Sequence, residues 1–170
     1  MNRDAPGMER FARASIDEAQ LEALAARLAP AARKGGLIHL AGDLGAGKTT
    51  FARALLQALG VGERIKSPTY SLIESYRVGE LDIHHLDLYR IADAGELEWL
   101  GLGDLWGVGT LVLIEWPERG TGHLPPPDLA IELQHARNAR ALTVLAGSDR
   151  GREMLLVWRV TDDSGFTSVI

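Results

Sequence analysis

The spacing of apolar residues in the first third of the chain predicts a helix, a strand and a second helix. Apolar side chains at positions 21, 24, 25 and 28 recur at helical spacing, and Ser15 with Glu18 three positions later predicts a capping box for this helix. The apolar run at residues 37–41 is bounded by glycines and predicts a buried strand. Residues 49–59 predict a second amphipathic helix that ends at Gly60.

Strand patterns follow in the rest of the chain. Residues 70–76 and 81–88 predict two neighbouring antiparallel strands with a hairpin turn between them. Residues 94–100 predict a short helix, and the strongly apolar residues 111–114 predict a central strand. Three later segments predict further strands or partly buried segments: residues 129–133, 141–145 and 154–160.

Length and composition narrow the class of protein. A chain of 170 residues fits a single domain, with flexible ends expected at residues 1–14 and 161–170. The absence of cysteine excludes disulfides, thiolate zinc sites and a cysteine nucleophile. No apolar run has the length of a signal peptide or a membrane span, so we expect a cytoplasmic protein without a membrane partner.

The net charge of −5 bears on the choice of partner. Proteins that bind nucleic acids tightly neutralise many phosphates with Lys and Arg, and an acidic chain offers few such contacts. We therefore expect no direct binding to DNA.

The sequence Gly-Asp-Leu-Gly-Ala-Gly-Lys-Thr at residues 42–49 is a complete phosphate-binding P-loop motif, placed between a predicted strand and a predicted helix. Glycines permit positive φ angles and close backbone approach, so the amides can converge on a phosphate. Lys48 is expected to reach the β- and γ-phosphates, and the Thr49 hydroxyl to bind Mg²⁺. The residues predicted to bind the nucleotide here are Asp43, Leu44, Gly45, Ala46, Gly47, Lys48, Thr49 and Thr50.

Hydrolysis also needs an acidic metal partner and a group that orients the attacking water. Glu115 follows the predicted central strand, and Asp87 ends another predicted strand. Either of them can serve the metal while the other polarises the water, and Asp43 inside the loop is an alternative base. His84 and His85 point to opposite faces of a strand, so one of them can support Asp87 but the pair cannot form a metal site.

Two further features concern the nucleotide and the reaction. Thr69, in the Ser-Pro-Thr-Tyr sequence at residues 67–70, is a candidate sensor of the γ-phosphate or its metal. The Asn-Lys-x-Asp motif of many GTPases is absent, which favours ATP over GTP. A small-molecule kinase that uses Asp87 as a base is the alternative to an ATPase, although no arginine-rich lid is recognisable.

Four motifs in order together resemble the TsaE family, also called YjeE, of bacterial ATPases. They are the extended glycine motif at residues 42–51, Ser-Pro-Thr-Tyr at 67–70, His-Leu-Asp-Leu-Tyr-Arg at 85–90 and Ile-Glu-Trp-Pro-Glu at 114–118. The resemblance implies an α/β P-loop NTPase fold with a central mixed sheet flanked by helices. It also implies that Thr49 and Glu115 hold Mg²⁺, that Asp87 lies near the γ-phosphate and attacking water, and that Thr69 belongs to a switch-like loop.

The resemblance further implies partner proteins. Members of the family act by ATP hydrolysis on a complex of TsaD and TsaB, which places a threonylcarbamoyl group on adenosine 37 of tRNA. The expected role is therefore a weak Mg²⁺-dependent ATPase that is stimulated by partners and meets tRNA only through them. The family often has a threonine in the N-terminal helix where this chain has Ala19 or nearby residues, and the C-terminal third matches only in general character.

Overall fold

The computed structural model describes residues 9–161 and 167–168, which form strands, three α-helices and short 3₁₀ helices. The strands are β1 (Arg10–Ile16), β2 (Gly36–Gly42), β3 (Ile73–Val78), β4 (Leu81–Asp87), β5 (Thr110–Glu115), β6 (Leu129–Ala136), β7 (Ala139–Ala146) and β8 (Thr167–Ser168). The α-helices are α1 (Glu18–Ala32), α2 (Lys48–Leu59) and α3 (Asp149–Thr161). The 3₁₀ helices span Gly62–Arg64, Ala94–Leu100, Leu102–Asp104 and Pro117–Gly120.

All the described strands belong to one mixed sheet in the order β3-β4-β5-β2-β6-β7-β1-β8. Strands β4, β5, β2 and β6 run parallel, whereas β3, β7, β1 and β8 pair antiparallel with their neighbours. This is the α/β architecture with a mixed sheet and flanking helices that the sequence predicted. Because β2, β4 and β5 are parallel, their carboxyl ends meet at one edge of the sheet.

Each face of the sheet carries its own apolar core, since side chains alternate along a strand. Leu111 and Leu113 of β5 pack into the larger core, which includes buried residues of α1, α2 and α3. Val112 and Ile114 pack into the smaller core on the other face, with the 3₁₀ helices at Ala94–Leu100 and Leu102–Asp104. The apolar run therefore reflects burial on both faces, as is typical of a central parallel strand.

Several predicted elements are confirmed with small changes of boundary. Strand β2, helix α2 and strands β4 to β7 lie where the apolar pattern placed them, and Gly60 ends α2 in the left-handed conformation. The hairpin of β3 and β4 is antiparallel as predicted, but β3 begins at Ile73 and not at residue 70. The predicted helix at residues 94–100 is a 3₁₀ helix.

The capping box of α1 differs from the prediction. Asp17 is the N-cap, its side chain accepts a hydrogen bond from the Gln20 backbone N–H, and the Gln20 side chain accepts one from the Asp17 backbone N–H. Ser15 instead lies in β1 with a φ of 57°, beside a register shift between Arg13 and Ile16. Aspartate and glutamine two residues further along the chain satisfy the same helix-start geometry as serine and glutamate, so spacing alone placed the cap two residues too early.

Two other predictions are corrected. Residues 154–160, predicted as a strand or partly buried segment, lie in α3, because Met154, Leu155 and Trp158 are buried at helical spacing. Residues 10–14, predicted as part of a flexible end, belong to β1, which pairs with β7 and β8. Of the predicted C-terminal end, Thr161 ends α3 and Thr167–Ser168 forms β8, while the other positions lie outside the described residues. Among the described helices, none has the length and apolar composition that a membrane span requires.

Candidate active site

Three parallel strands deliver the predicted site residues to one edge of the sheet. Strand β2 leads into the glycine-rich loop (residues 42–49), β4 ends at Asp87 and β5 ends at Glu115. In the strand register Glu115 lies opposite both Leu40 of β2 and Asp87 of β4. The sheet itself therefore places the two carboxylates beside the loop.

The glycine-rich loop depends on glycine at two positions. At Gly42, where φ is 144°, a Cβ would lie 2.3 Å from the backbone oxygen of Leu133. At Gly47, where φ is 111°, a Cβ would lie 2.7 Å from Leu21 and 3.2 Å from the Arg140 Nε. The loop thus packs its backbone directly against β6 and against side chains of α1 and β7, in space that only glycine leaves open.

Lys48, the first residue of α2, is buried with 4% of its surface exposed. Its Nζ donates hydrogen bonds to the backbone oxygens of Gly42 at 2.6 Å and Asp43 at 2.8 Å, and lies 4.0 Å from the centre of the Trp116 ring. Burial lowers the pKa of Lys48, an effect that the nearby carboxylates of Glu115 and other acids oppose. The ammonium group is therefore held at the loop, in a position from which it could also bind an anion.

Glu115 joins two other side chains through its two carboxylate oxygens. Thr49 Oγ1 donates to Glu115 Oε1 at 2.7 Å, and His85 Nε2 lies 2.7 Å from Glu115 Oε2. Glu115 and His85 are both almost completely buried. His85 was considered as a support for Asp87, but in the structure it pairs with Glu115.

Asp87 lies next to this group on the end of β4. Its Oδ1 accepts a hydrogen bond from the backbone N–H of Tyr89 at 3.0 Å. Burial raises the pKa of Asp87, and the negative charge of Glu115 adds to this effect, whereas the Tyr89 hydrogen bond opposes it. A carboxylate whose pKa is raised is a better proton acceptor than an ordinary surface aspartate.

The loop, Lys48 and the two carboxylates line one cavity of about 310 Å³. Its walls are Leu44, Gly45, Gly47, Lys48, Thr49, Thr50, Thr69, Asp87, Tyr89, Arg90, Glu115, Trp116 and Arg140. Of the predicted residues, Ala46 is a fully buried residue of the loop and Asp43 is exposed, and neither lines the cavity. Thr69 reaches the cavity wall, with its hydroxyl 2.7 Å from that of Ser67.

Four wall residues were not among the predicted site residues: Tyr89, Arg90, Trp116 and Arg140. Three of them lie within the motifs that carried the resemblance, so their proximity to the predicted acids along the chain was an available signal. Arg140 lies far along the chain on β7, and nothing in its neighbouring sequence marked it.

The oxygen donors of the cavity suit Mg²⁺. Thr49 Oγ1 touches Glu115, and Asp87 lies on the adjacent strand end, so a hydroxyl and carboxylates lie together. Within residues 9–161 and 167–168, no group of three acidic or histidine side chains could hold a metal ion. Mg²⁺ fits such a site, because it is usually bound by one or two carboxylates together with substrate phosphates and water.

A larger groove, of about 760 Å³, lies between α1 and α2. Ala19 and Glu22 of α1 face Arg53 and Gln57 of α2 across it, and Thr50 lines both this groove and the smaller cavity. The three residues predicted to be catalytic, Lys48, Asp87 and Glu115, line the smaller of these two spaces.

Comparison with known proteins identifies the family to which this chain is related. Residues 15–142 match the family described as "Threonylcarbamoyl adenosine biosynthesis protein TsaE". The tRNA threonylcarbamoyladenosine biosynthesis protein TsaE of Haemophilus influenzae is 41% identical over 119 residues, 70% of this chain and 75% of that protein. The protein of the same name from Bacillus subtilis is 34% identical over 137 residues, 80% of this chain and 85% of that protein.

A solved structure agrees with these matches. The crystal structure of YdiB from Bacillus subtilis superposes with a TM-score of 0.77 at 27% identity, and the match covers 94% of this chain and 100% of YdiB. Together with the sequence matches, this shows that the chain belongs to the TsaE family of tRNA threonylcarbamoyladenosine biosynthesis proteins.

Proposed function

We propose that this chain is a cytoplasmic ATPase that binds ATP with Mg²⁺ in the cavity at the glycine-rich loop. Hydrolysis serves the formation of N6-threonylcarbamoyladenosine at adenosine 37 of tRNA, through TsaB and TsaD. The observation that carries the proposal is the convergence of Lys48, Thr49, Asp87 and Glu115 on one cavity beside the glycine-rich loop. Three separate stretches of chain, the glycine-rich loop with the start of α2 and the ends of β4 and β5, supply the parts that phosphoryl transfer requires.

The residues divide the work by their chemistry. The loop amides and the amino-terminal end of α2 attract the phosphates, and Lys48 adds a positive charge that an incoming phosphate stabilises. Thr49 and Glu115 would hold Mg²⁺, which when bound neutralises charge on the phosphate oxygens. Asp87, whose pKa is raised, is suited to accept a proton from the attacking water.

The partner assignment has separate support. The matched relatives from Haemophilus influenzae and Bacillus subtilis are both named as tRNA threonylcarbamoyladenosine biosynthesis proteins. The net charge of −5 disfavours tight binding to tRNA by this chain alone. An ATPase that reaches tRNA through partner proteins satisfies both facts.

The test measures phosphate release by the purified chain with Mg²⁺ATP, alone and with TsaB and TsaD, followed by nucleoside analysis of a tRNA substrate. We expect slow release that the partners stimulate, together with ATP-dependent modification. Lys48→Ala should abolish ATP binding, while Lys34→Ala, a change at an exposed lysine, should leave it intact. Normal ATP affinity in Lys48→Ala would refute the binding site, and no response to TsaB and TsaD would refute the partner assignment.

A further inference from the structure

His85 is a completely buried histidine of β4 that lines neither the cavity at the glycine-rich loop nor the groove between α1 and α2. It lies two residues before Asp87, so the two side chains point to the same face of the sheet. Asp87 in turn lies in register with Glu115, the last residue of β5. The three side chains therefore share one face of the sheet, but only the two acids reach the cavity.

The contact between His85 and Glu115 is short and shielded from water. His85 Nε2 lies 2.7 Å from Glu115 Oε2, and the two side chains are 0% and 2% exposed. An ionised carboxylate can only accept hydrogen bonds, so the donor is Nε2–H. Removal of a carboxylate from water is costly unless such donors replace the water. His85 therefore supplies one of the two donors that compensate the burial of Glu115, and Thr49 supplies the other.

The second ring nitrogen of His85 makes this donation one-directional. Nδ1 is buried, and among the described residues it has no hydrogen-bond partner. A proton on Nδ1 would be a buried N–H without an acceptor, which is unfavourable. The surroundings therefore favour a ring that carries its proton on Nε2, where Glu115 accepts it.

The same contact determines which oxygen Glu115 presents to the cavity. Oε2 is held by His85, which leaves Oε1 to accept the hydrogen bond from Thr49 Oγ1 at 2.7 Å. A glutamate side chain has several rotatable bonds, and a donor on one oxygen restricts how the other can turn. Carboxylate ligands of metal ions are commonly oriented in this way by a side chain that does not touch the metal.

We propose that His85 is a positioning residue for the Mg²⁺ site, which holds Glu115 Oε2 and thereby keeps Oε1 beside Thr49. This inference rests on the proposed function, since it concerns the metal ion of the same site. His85 acts through Glu115 and touches neither metal nor nucleotide, because it is completely buried and lies outside the cavity wall. Loss of such a supporting contact typically lowers metal affinity or activity by about 10–100-fold.

Isothermal titration calorimetry with a non-hydrolysable ATP analogue, in Mg²⁺ and in EDTA, tests the assignment on the full chain. The ratio of the two affinities is the gain that the metal provides. His85→Phe keeps an aromatic ring but has no donor, so it should lower this gain by about tenfold or more and leave the affinity in EDTA unchanged. His85→Gln should retain part of the gain, because its side-chain amide can also donate.

The neighbouring histidine provides the matched control. His84 lies on the other face of β4, and its Nδ1 is 2.8 Å from Ser75 Oγ. His84→Phe is the same chemical change one residue away, and it should leave the gain from Mg²⁺ unchanged. Urea unfolding establishes that each variant is folded, and His85→Leu replaces His85→Phe if the latter is not.

Nuclear magnetic resonance provides a readout that does not depend on the metal or on activity. Long-range ¹H–¹⁵N spectra of the unchanged chain report which nitrogen of each imidazole ring carries the proton. The chain has five histidines, and the signals of His85 are those that disappear in His85→Gln. We expect a proton on Nε2, and a ring without one would overturn the assignment, since Nε2 could then not donate to Glu115.

Each calorimetric outcome has one meaning. If the unchanged chain binds the analogue no more tightly in Mg²⁺ than in EDTA, the proposed Mg²⁺ site fails and the role of His85 fails with it. An undiminished gain from Mg²⁺ in a folded His85→Phe would overturn the His85 assignment alone. Equal losses of affinity in Mg²⁺ and in EDTA would show that His85 only supports the fold around the loop, and would also overturn it.

Discussion

Glu115 has both carboxylate oxygens occupied, one by Thr49 and one by His85. A buried carboxylate is stable only with such partners, because an unpaired charge in the interior is costly. The same pairing fixes the direction in which Glu115 presents its charge to the cavity. The threonine hydroxyl and the glutamate are therefore already adjacent, as a shared Mg²⁺ ion requires.

Substitution of Glu115 by glutamine should separate nucleotide binding from hydrolysis. The amide keeps the shape but removes the charge that would hold the metal, so we expect phosphate release to fall by about a hundredfold or more, with nucleotide affinity changed far less. The measurement is phosphate release against Mg²⁺ concentration, with calorimetric ATP binding alongside. His84→Ala serves as the control, since His84 binds Ser75 on the other face of β4. Magnesium-dependent turnover at the rate of the unchanged protein would show that Glu115 does not hold the metal.

The ionised side chain of Asp87 is expected to destabilise the folded protein at neutral pH. Its pKa in the folded state is raised above 3.8, mainly by burial, so the folded state binds the proton more tightly than the unfolded state does. Ionised Asp87 therefore destabilises the fold above its folded-state pKa, and this cost fades as the pH falls toward 3.8. Asp87→Asn should be more stable than the unchanged protein at pH 7, with a difference that shrinks in acid.

Urea unfolding between pH 4 and pH 8 measures this difference. Asp104→Asn, a change at an exposed carboxyl, should leave the difference near zero throughout. A folded Asp87→Asn that is less stable than the unchanged protein at pH 7 would contradict the expectation. In the same variant phosphate release should fall by about a hundredfold or more, the range of a lost general base.

At the scale of elements, α3 shows how a helix can have the apolar pattern of a strand. The apolar run near residues 154–160 has adjacent apolar residues that fit either structure. Burial decides the matter, because Trp158 packs edge-on against Phe51 of α2 and its Nε1 donates to the backbone oxygen of Leu24 in α1 at 2.9 Å. At the start of the segment, Ser148 Oγ accepts a hydrogen bond from the backbone N–H of Gly151.

Trp158→Phe should test this packing. The change removes the indole N–H and part of a fully buried ring, so we expect the free energy of unfolding to fall by about 1–3 kcal/mol. Leu156→Ala on the exposed side of the same helix is the control, with an expected change within about 0.5 kcal/mol. Equilibrium urea denaturation provides both values, and equal effects would mean that α3 is not docked through Trp158.

At the scale of the whole molecule, β1 near the amino terminus pairs with β8 near the carboxyl terminus. Strand β1 lies between β7 and β8, so residues near the amino terminus complete the half of the sheet that carries Arg140. Ile16, completely buried at the end of β1, lies in register with Arg140. The segment Arg10–Ile16 is therefore part of the fold.

Ile16→Ala should destabilise the whole domain. Removal of a buried aliphatic side chain leaves a cavity, with an expected loss of about 2–5 kcal/mol in the free energy of unfolding. Ala14→Ser, an exposed position on the same strand, should change stability by less than about 0.5 kcal/mol. Thermal and urea denaturation can compare the two variants, and no loss in Ile16→Ala would show that β1 contributes little to the fold.

Local sequence was sufficient to predict many of the residues that line the cavity. The strand, glycine loop and helix at residues 36–59 follow from apolar spacing and from glycine chemistry, since both act between residues close in the chain. Asp87 and Glu115 were identifiable because acidic residues at the ends of parallel strands meet at one edge of a sheet. The fold class was expected from the resemblance that the four motifs carry, and the family and structure matches agree with it.

Only the tertiary structure decided the contacts between distant segments. The pairing of His85 with Glu115, the helical state of α3 and the place of β1 each depend on surfaces that meet after folding. Arg140 shows the limit most clearly, because an isolated arginine on an ordinary strand has no local signature. It reaches Gly47 only because the sheet places β7 two strands from β2. The sequence by itself thus determined the glycine-rich loop and the acidic ends of two strands, whereas the packing of the sheet determined which other residues surround them.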